Sequence, residues 1–245
     1  MKSVVFCPSN QAAKMSPWRR EYSEYGGMHF LAPLIVEACR AQGLNAHWLA
    51  AYPDNDPKQP YQHAYIVAQI NSANLWLDTQ PGEPDDKCII HLHTDSGDFS
   101  HTFGIFTSRF PNSERLARCY AEEVQRVLAT GEVRVFEKMG SIDYNGYLFA
   151  TKAKYTTALA ELCAHTVKQD IDNLYAHPGR VAEASAKAVL RYFGQVGTAE
   201  LETLKRRNAA LEEQVTVLQA QNALASTTLA KVNLKALEIA ALTKG

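Results

Sequence analysis

The sequence predicts an α/β protein with a mixed, mostly parallel central sheet, helices on both faces and a C-terminal coiled-coil helix. Through the first 196 residues, short apolar runs typical of buried strands alternate with longer segments of helical periodicity. After Gly197, glycine and proline are absent until Gly245, and a heptad pattern takes over. We therefore expect a globular domain over residues 1–196 and a coiled-coil helix over residues 197–245.

The composition is that of a globular protein and excludes several functional classes. The chain has 245 residues, is 46% hydrophobic and carries a formal net charge of −1, which argues against nucleic-acid binding. The five cysteines form no CxxC pair, as expected for reduced thiols. The N-terminus leads directly into a strand-like run without a signal peptide, and no apolar run is long enough for a membrane span. We expect synthesis in the cytoplasm and no membrane partner.

The first half of the chain predicts three strands and two helices. The apolar run 4–7 is a strand that ends in the loop Pro8-Ser9-Asn10-Gln11. An apolar stripe from Met28 to Cys39 predicts a helix, which Gly43 ends because glycine readily adopts the left-handed conformation there. The remaining predicted segments are a strand at 45–50, a loop at 52–60, a helix at 62–77, a loop at 80–86 and a strand at 88–93.

The second half of the globular region continues the alternation. Short strands are predicted at 104–106, 133–136 and 159–163. Asn112 and Ser113 are typical helix-capping residues, and the stripe of apolar side chains that follows them predicts a helix ended by Gly131. A further helix is predicted over roughly residues 180–194.

The C-terminal segment has two apolar seams in strict heptad register. Asparagines at two a positions favour a parallel two-stranded coiled coil. We therefore expect a homodimer formed through residues 197–225, while a long helix packed back on the domain is the alternative. The a positions are Leu201, Asn208, Val215, Asn222 and Leu229, and the d positions are Leu204, Leu211, Leu218, Ala225 and Val232.

The third predicted strand carries the most informative residues. His91 and His93 share one face of it, because side chains at i and i+2 of a strand point the same way. Thr94 and Asp95 follow where the apolar run ends. Strand ends are where α/β proteins build their sites, and imidazole is a common zinc ligand.

Glu161 lies inside another apolar run, residues 158–163. A carboxylate in a core strand is costly unless it is paired or bound. An apolar setting also raises the pKa of a carboxyl group toward neutral pH, as a general base requires. Together with the histidine-bearing strand, this run indicates a metallohydrolase.

An ordered set of residues over about positions 3–195 resembles the zinc-dependent N-acetylmuramoyl-L-alanine amidases, especially a branch found among phage lysins. Glu24, nineteen residues before Gly43, matches the family's metal-binding glutamate, and His93 matches its strand-end histidine. Glu161 matches the catalytic glutamate, and His165 lies in the turn that follows it. Gly104 matches a glycine that opens the strand after the histidine-bearing strand.

One departure from this family concerns the first metal-binding histidine. The turn Pro8-Ser9-Asn10-Gln11 stands in its place, as in the branch with a Ser-Pro-Ser-x-Gln turn. The third zinc ligand is therefore open between an amide oxygen of Asn10 or Gln11 and the imidazole of His91 or His29.

The resemblance implies a hydrolase that cleaves the amide bond between N-acetylmuramic acid and L-alanine in bacterial peptidoglycan. It implies Zn²⁺ as cofactor, Glu161 as general base, and an endolysin-like role in cell-wall degradation after release from the cytoplasm. Two other classes remain: a catalytically degenerate peptidoglycan-binding protein, and a coiled-coil assembly protein with a vestigial domain. Residues expected to contact the substrate or the metal ligands are His91, Thr94, Asp95 and His165.

Overall fold

The structure, a computed structural model, describes residues 1–11, 14–19, 21–50, 63–137 and 152–195. Six strands and five α-helices lie within these ranges, together with a short 3₁₀ turn at Pro84–Asp86. The strands are β1 (Ser3–Pro8), β2 (Asn45–Trp48), β3 (Lys87–Asp95), β4 (His101–Phe106), β5 (Glu132–Glu137) and β6 (Thr156–Ala164). The helices are α1 (Glu24–Ala41), α2 (His63–Asp78), α3 (Ser113–Leu128), α4 (Lys168–Ala176) and α5 (Pro178–Tyr192).

The strands form one mixed sheet in the order β2-β1-β3-β6-β4-β5. Neighbouring strands are parallel except β6 and β4, which run antiparallel. The predicted mixed, mostly parallel central sheet is therefore confirmed. In its centre, β1, β3 and β6 lie side by side and end at the same edge.

Helices cover both faces of the sheet, as predicted. Phe6 and Ile90 point to one face, where they join a core cluster with α1, α3 and α5. Their strand neighbours Val5 and Ile89 point to the other face and pack with Ile70 of α2. Successive strand residues face opposite sides, so a central strand covered on both faces is continuously apolar. Each such buried side chain contributes about 1.5–3 kcal/mol.

The first helix begins with a side-chain cap and ends in a glycine turn. The Ser23 hydroxyl accepts a hydrogen bond from the Gly26 N–H at 3.0 Å, which satisfies a free amide of the first turn. Gly43 follows the helix with φ +82° and donates to the Arg40 carbonyl at 3.0 Å, so the predicted helix end is confirmed. The cap at Ser23 makes Glu24 the first helical residue and sets its side chain beside the sheet edge.

Helix α4 is absent from the sequence-based prediction. It has nine residues, and its N-terminal neighbour Val167 supplies no capping side chain. Instead the buried Asp170 carboxylate accepts hydrogen bonds from the backbone N–H groups of Ala164, at 3.0 Å, and His101, at 3.3 Å. The helix is thus tied to β6 and β4 by contacts that no local pattern reveals.

The ends of α3 also differ from expectation. Asn112 precedes the helix but makes no side-chain capping hydrogen bond. The Ser113 hydroxyl instead accepts from the Thr107 N–H and donates to the Thr157 carbonyl. The helix stops at Leu128, because Ala129 takes the left-handed turn, with φ 51°, before Gly131 is reached.

Several other expectations concern residues outside the described ranges, namely the loop at 52–60, the coiled coil at 197–245 and the dimer interface at 197–225. The five cysteines are free and buried. Among the helices described, none combines the length and apolar character that crossing a bilayer demands.

Candidate active site

Four polar residues from distant parts of the chain meet at the edge where β1, β3 and β6 end. Asn10 follows β1, His93 lies near the end of β3, and Glu161 lies in β6 directly opposite His93 in the parallel register. Glu24 opens α1 next to this edge and contacts His93. Because parallel strands bring their carboxyl ends together, this is where an α/β sheet builds its site.

Glu24 and His93 form the central pair. Glu24 Oε1 lies 2.8 Å from His93 Nδ1, with the carboxylate fully buried and the imidazole side chain 16% exposed. The contact has ion-pair distance, yet neither carboxylate oxygen receives a hydrogen bond of ordinary geometry. Both oxygens are thus enclosed but left with coordination capacity.

The charges of this pair stabilise each other. Burial alone would raise the pKa of Glu24, but the contact with His93 and another with Ser9 hold that pKa below its ordinary value. Burial alone would lower the pKa of His93, but Glu24 and the nearby Glu161 raise it. Each member of the pair therefore favours the charged form of the other.

Glu161 has a different environment although it lies beside the same imidazole. Burial is the main effect and raises the pKa of Glu161 to about 7, helped by the negative charges of Glu24 and Asp95 and opposed by His93. Its Oε2 atom is buried without a hydrogen-bond partner. A carboxyl group with this pKa can accept and release a proton near neutral pH.

The turn after β1 presents one buried amide. Asn10 is 4% exposed, and its Nδ2 atom is buried without a hydrogen-bond partner. Gln11 is held by its main chain, since its N–H donates to Ser9 Oγ at 3.2 Å and its carbonyl accepts from the Tyr25 N–H at 3.2 Å. Of the two amide side chains considered from the sequence, Asn10 is the one enclosed at this edge.

Thr94 and His165 brace the end of β3. The Thr94 hydroxyl is hydrogen-bonded to the fully buried Tyr22 hydroxyl at 2.7 Å. His165 Nδ1 donates to the Thr94 carbonyl at 3.3 Å, and its backbone N–H donates to the Asp95 carbonyl at 2.9 Å. These bonds fix the position of β3, and hence of His93, against the loop before α1 and the turn after β6.

Asp95 forms a second acid–histidine pair. His101 Nε2 lies 3.2 Å from Asp95 Oδ2, and His101 Nδ1 lies 2.8 Å from the Phe99 carbonyl oxygen. Burial alone would lower the pKa of His101, but these acceptors raise it above its ordinary value. Phe103, the antiparallel partner of Glu161, stacks on this ring at 3.9 Å. The Asp95 carboxylate is thus paired with His101.

His91 and His29 lie in other surroundings. His91 pairs in register with Cys7 and Leu159, and burial lowers its pKa to about 3, so it is a neutral imidazole. The His29 ring packs against Tyr25 at 4.0 Å, and its Nδ1 donates to the Tyr25 carbonyl at 2.8 Å.

Lys14 belongs to the site but was missed from the sequence. Its carbonyl accepts the Glu24 N–H at 2.9 Å, which sets the residue beside the start of α1. Lys14 lies in a loop with no motif or periodicity, so only the folded chain shows its place. Its positive charge lowers the pKa of each of the surrounding groups, which are Glu24, His93, Asp95, Glu161 and His165.

Two side chains at this edge, Glu24 and His93, are suited to fill two coordination positions of a zinc ion. Within the part of the chain that is described, no group of three or more His, Cys, Asp or Glu side chains is arranged to hold a metal. Glu24 and His93 are suitable donors, and atoms bound about 2.0–2.1 Å from a tetrahedral ion stand about 3.3 Å apart. Their 2.8 Å separation needs only a small widening. Asn10, the buried residue of the turn after β1, is the amide candidate for a third position.

Comparison with known proteins finds similar structures but no similar sequence. No protein-family model matches the chain, and the curated protein sequences give no match. Among solved structures, the N-acetylmuramoyl-L-alanine amidase AmiC2 of Nostoc punctiforme is 15% identical with a TM-score of 0.57, covering 79% of this chain and 98% of its own.

Two further solved structures give the same result. The catalytic domain of the CD27L endolysin, which targets Clostridia difficile, is 16% identical with a TM-score of 0.55, over 78% of this chain and 97% of its own. The N-acetylmuramoyl-L-alanine amidase from Clostridium difficile 630 is 12% identical with a TM-score of 0.58, and the match covers 80% of this chain and 98% of that amidase. The chain therefore has the fold of these amidases.

Proposed function

We propose that this chain hydrolyses the amide bond between N-acetylmuramic acid and L-alanine in bacterial peptidoglycan, with Zn²⁺ as cofactor. The observation that carries the proposal is the partly buried Glu161 carboxyl group, which has a pKa of about 7 and lies in register with His93. A core carboxylate with a buried, unpartnered oxygen costs stability, and such groups cluster at functional sites. The amidase fold supplies the substrate class.

Glu161 acts as the proton carrier. It accepts a proton from water as the water oxygen bonds to the lactyl carbonyl carbon, and it delivers that proton to the alanine nitrogen as the carbon–nitrogen bond breaks. A pKa near neutrality suits both transfers, because the group must gain and lose the proton within one cycle. The charge of Lys14 at this edge favours the negative charge that develops on the carbonyl oxygen.

We assign Glu24 and His93 as ligands of the zinc ion and the Asn10 amide oxygen as the third protein ligand, ahead of Gln11, His91 and His29. The burial of Asn10 in the turn after β1 supports this choice. Both Glu24 oxygens are buried with coordination capacity left, whereas the ring of His29 is held by the Tyr25 carbonyl. When bound, zinc polarises a carbonyl and lowers the pKa of a coordinated water. Thr94 and His165 keep His93 in place through the hydrogen bonds around the end of β3.

The cellular setting extends this proposal. We expect an endolysin-like protein, made in the cytoplasm and acting on the cell wall after release, that dimerises through residues 197–225. Deleting residues 197–245 should then abolish dimerisation and leave hydrolysis intact. A coiled-coil assembly protein with a vestigial domain would instead lose its function with this segment.

The test is mass spectrometry of purified peptidoglycan digested by the zinc-loaded protein. Free stem peptides with an L-alanine N-terminus should appear, without new reducing sugar ends, and Glu161→Gln should abolish their release. Glu123→Gln is the matched control, because Glu123 lies on α3 among Arg126, Lys187 and Arg191. New reducing ends, or cuts within the stem peptide, would contradict the proposed bond specificity.

A second candidate is a protein that binds peptidoglycan without cleaving it. Asn10 in place of a metal-binding histidine favours this reading, because an amide oxygen is a weaker zinc donor than imidazole. The same digestion decides between the two. Walls that stay intact while the zinc-loaded protein sediments with them would establish the binding protein.

A further inference from the structure

Exposed apolar side chains gather on the loops around the candidate active site. Of the six large hydrophobic residues that are exposed in the described ranges, Met15, Trp18 and Phe99 lie on the two loops that follow β1 and β3. Trp18 is 56% exposed and Phe99 is 44% exposed. Exposed apolar groups that cluster beside a polar site are typical of ligand-binding surfaces.

Trp18 is exposed but firmly held. Its indole Nε1–H donates to the Thr166 carbonyl at 2.7 Å, and its backbone N–H donates to Ser16 Oγ at 3.2 Å. The next residue, Arg19, stacks its guanidinium over Tyr175 of α4 at 4.5 Å. Since the hydrogen bond to the Thr166 carbonyl already fixes the indole, a ligand that packs on it loses little side-chain entropy.

The anchor of Trp18 connects it to the site. Thr166 directly follows His165, and its hydroxyl donates to the Gly97 carbonyl in the loop that carries Phe99. Trp18 and Phe99 therefore flank the same turn, next to the ends of β3 and β6. Glu161 lies in the last part of β6, so a ligand on this rim reaches toward the proposed proton carrier.

We propose that Trp18, with Phe99 beside it, forms a saccharide subsite that stacks on a pyranose ring of the glycan strand. This inference rests on the proposed function, because the bond to be cleaved is attached to the lactyl group of a sugar. A pyranose ring must then lie within a few bonds of the carbon that is attacked. Its C–H face packs on an indole while its hydroxyl groups remain in water.

The charge of the rim supports a sugar over the stem peptide as occupant. Stem peptides carry carboxylates, which are attracted to cations rather than to aromatic faces. Arg19, the cation next to Trp18, is already paired with Glu21 at 3.2 Å and Asp172 at 3.5 Å. The charge of Lys14 acts on the acidic groups Glu24 and Glu161 of the site.

The test measures binding of glycan strands from which the stem peptides have been removed. We expect a change in tryptophan fluorescence of the intact protein, and about a tenfold loss of affinity in Trp18→Ala, equivalent to about 1.4 kcal/mol. Trp18→Phe keeps an aromatic face and should stay within about threefold of the original affinity. Phe30→Ala, which removes an exposed aromatic of α1, is the matched control and should bind normally.

The kinetic readout separates binding from chemistry. Trp18→Ala should raise KM for peptidoglycan and leave kcat nearly unchanged, because the indole touches a part of the substrate that does not react.

Equal glycan binding by Trp18→Ala and the unaltered protein, while both hydrolyse the wall, would overturn the subsite and leave the proposed function standing. Glycan binding that depends on Trp18 without hydrolysis would support the subsite and refute the catalytic proposal. Displacement of the fluorescence change by free stem peptides alone would assign the rim to the peptide and overturn the inference.

Discussion

Replacing Glu161 by glutamine should stabilise the folded chain above neutral pH. In the folded protein, burial raises the pKa of Glu161 from 4.5, its ordinary value, to about 7. Below about pH 4, the group is protonated in both folded and unfolded states and contributes no pH dependence. Between these values the folded state holds a proton that the unfolded state has released, so stability falls as pH rises. Above about pH 7, the folded chain bears the full cost of a buried charge.

The size of this effect follows from the two pKa values. They lie about 2.5 pH units apart, and each unit corresponds to about 1.4 kcal/mol, which sets an upper limit of about 3 kcal/mol. Glu161 is partly accessible although its Oε2 atom is buried, so we expect about 2 kcal/mol. Glutamine keeps the shape of the side chain and removes the charge. Its gain in stability should be near zero at pH 4 and nearly complete at pH 8.

Urea denaturation at pH 4, 6 and 8, with a chelator present, measures this difference directly. The chelator matters because a bound cation would itself stabilise the Glu161 carboxylate. Glu123→Gln serves as control, since Glu123 is 2.5 Å from Arg126 and 3.3 Å from Arg191, and its removal should give no gain in stability at any of these pH values. If the difference between Glu161→Gln and the unaltered protein changes by less than about 0.5 kcal/mol from pH 4 to pH 8, the raised pKa is wrong.

Three further variants test the rest of the site. His93→Ala removes the 2.8 Å ion-pair partner of a fully buried carboxylate, Glu24, and should lower the free energy of unfolding by about 3 kcal/mol in urea denaturation at pH 7. Asn10→His supplies a third imidazole or carboxylate donor and should tighten zinc binding at least about tenfold, measured by competition with a chromophoric chelator. Tyr22→Phe deletes the 2.7 Å hydrogen bond to Thr94 and should cost about 1 kcal/mol in thermal denaturation.

Each of these has an outcome that would count against it. An unchanged stability of His93→Ala would mean that Glu24 is protonated or solvated rather than paired. Equal zinc affinity in Asn10→His would place the third ligand elsewhere, with Gln11, His91 and His29 as the remaining candidates. A Tyr22→Phe variant as stable as the unaltered protein would show that the Thr94 hydroxyl finds another partner.

Local pattern was enough to predict most of the secondary structure. The apolar runs that became β1, β3 and β6 are too short and too uniform for helices, and the stripe ending before Gly43 has the helical period. Helix α4 escaped prediction because Asp170, buried against β4 and β6, provides its support from outside the segment. The end of α3 was misplaced because Ala129 adopts a conformation that sequence patterns assign to glycine.

The sequence by itself determined which residue types stand at the strand ends and that Glu161 lies in an apolar strand. It could not determine that Glu24 meets His93, because that contact depends on how α1 docks against the end of β3. The same holds for Lys14, whose charge reaches the site only through the path of its loop. Protonation states were decided by tertiary structure for the same reason: burial and neighbouring charges set a pKa, and both are properties of the folded arrangement in space rather than of order along the chain.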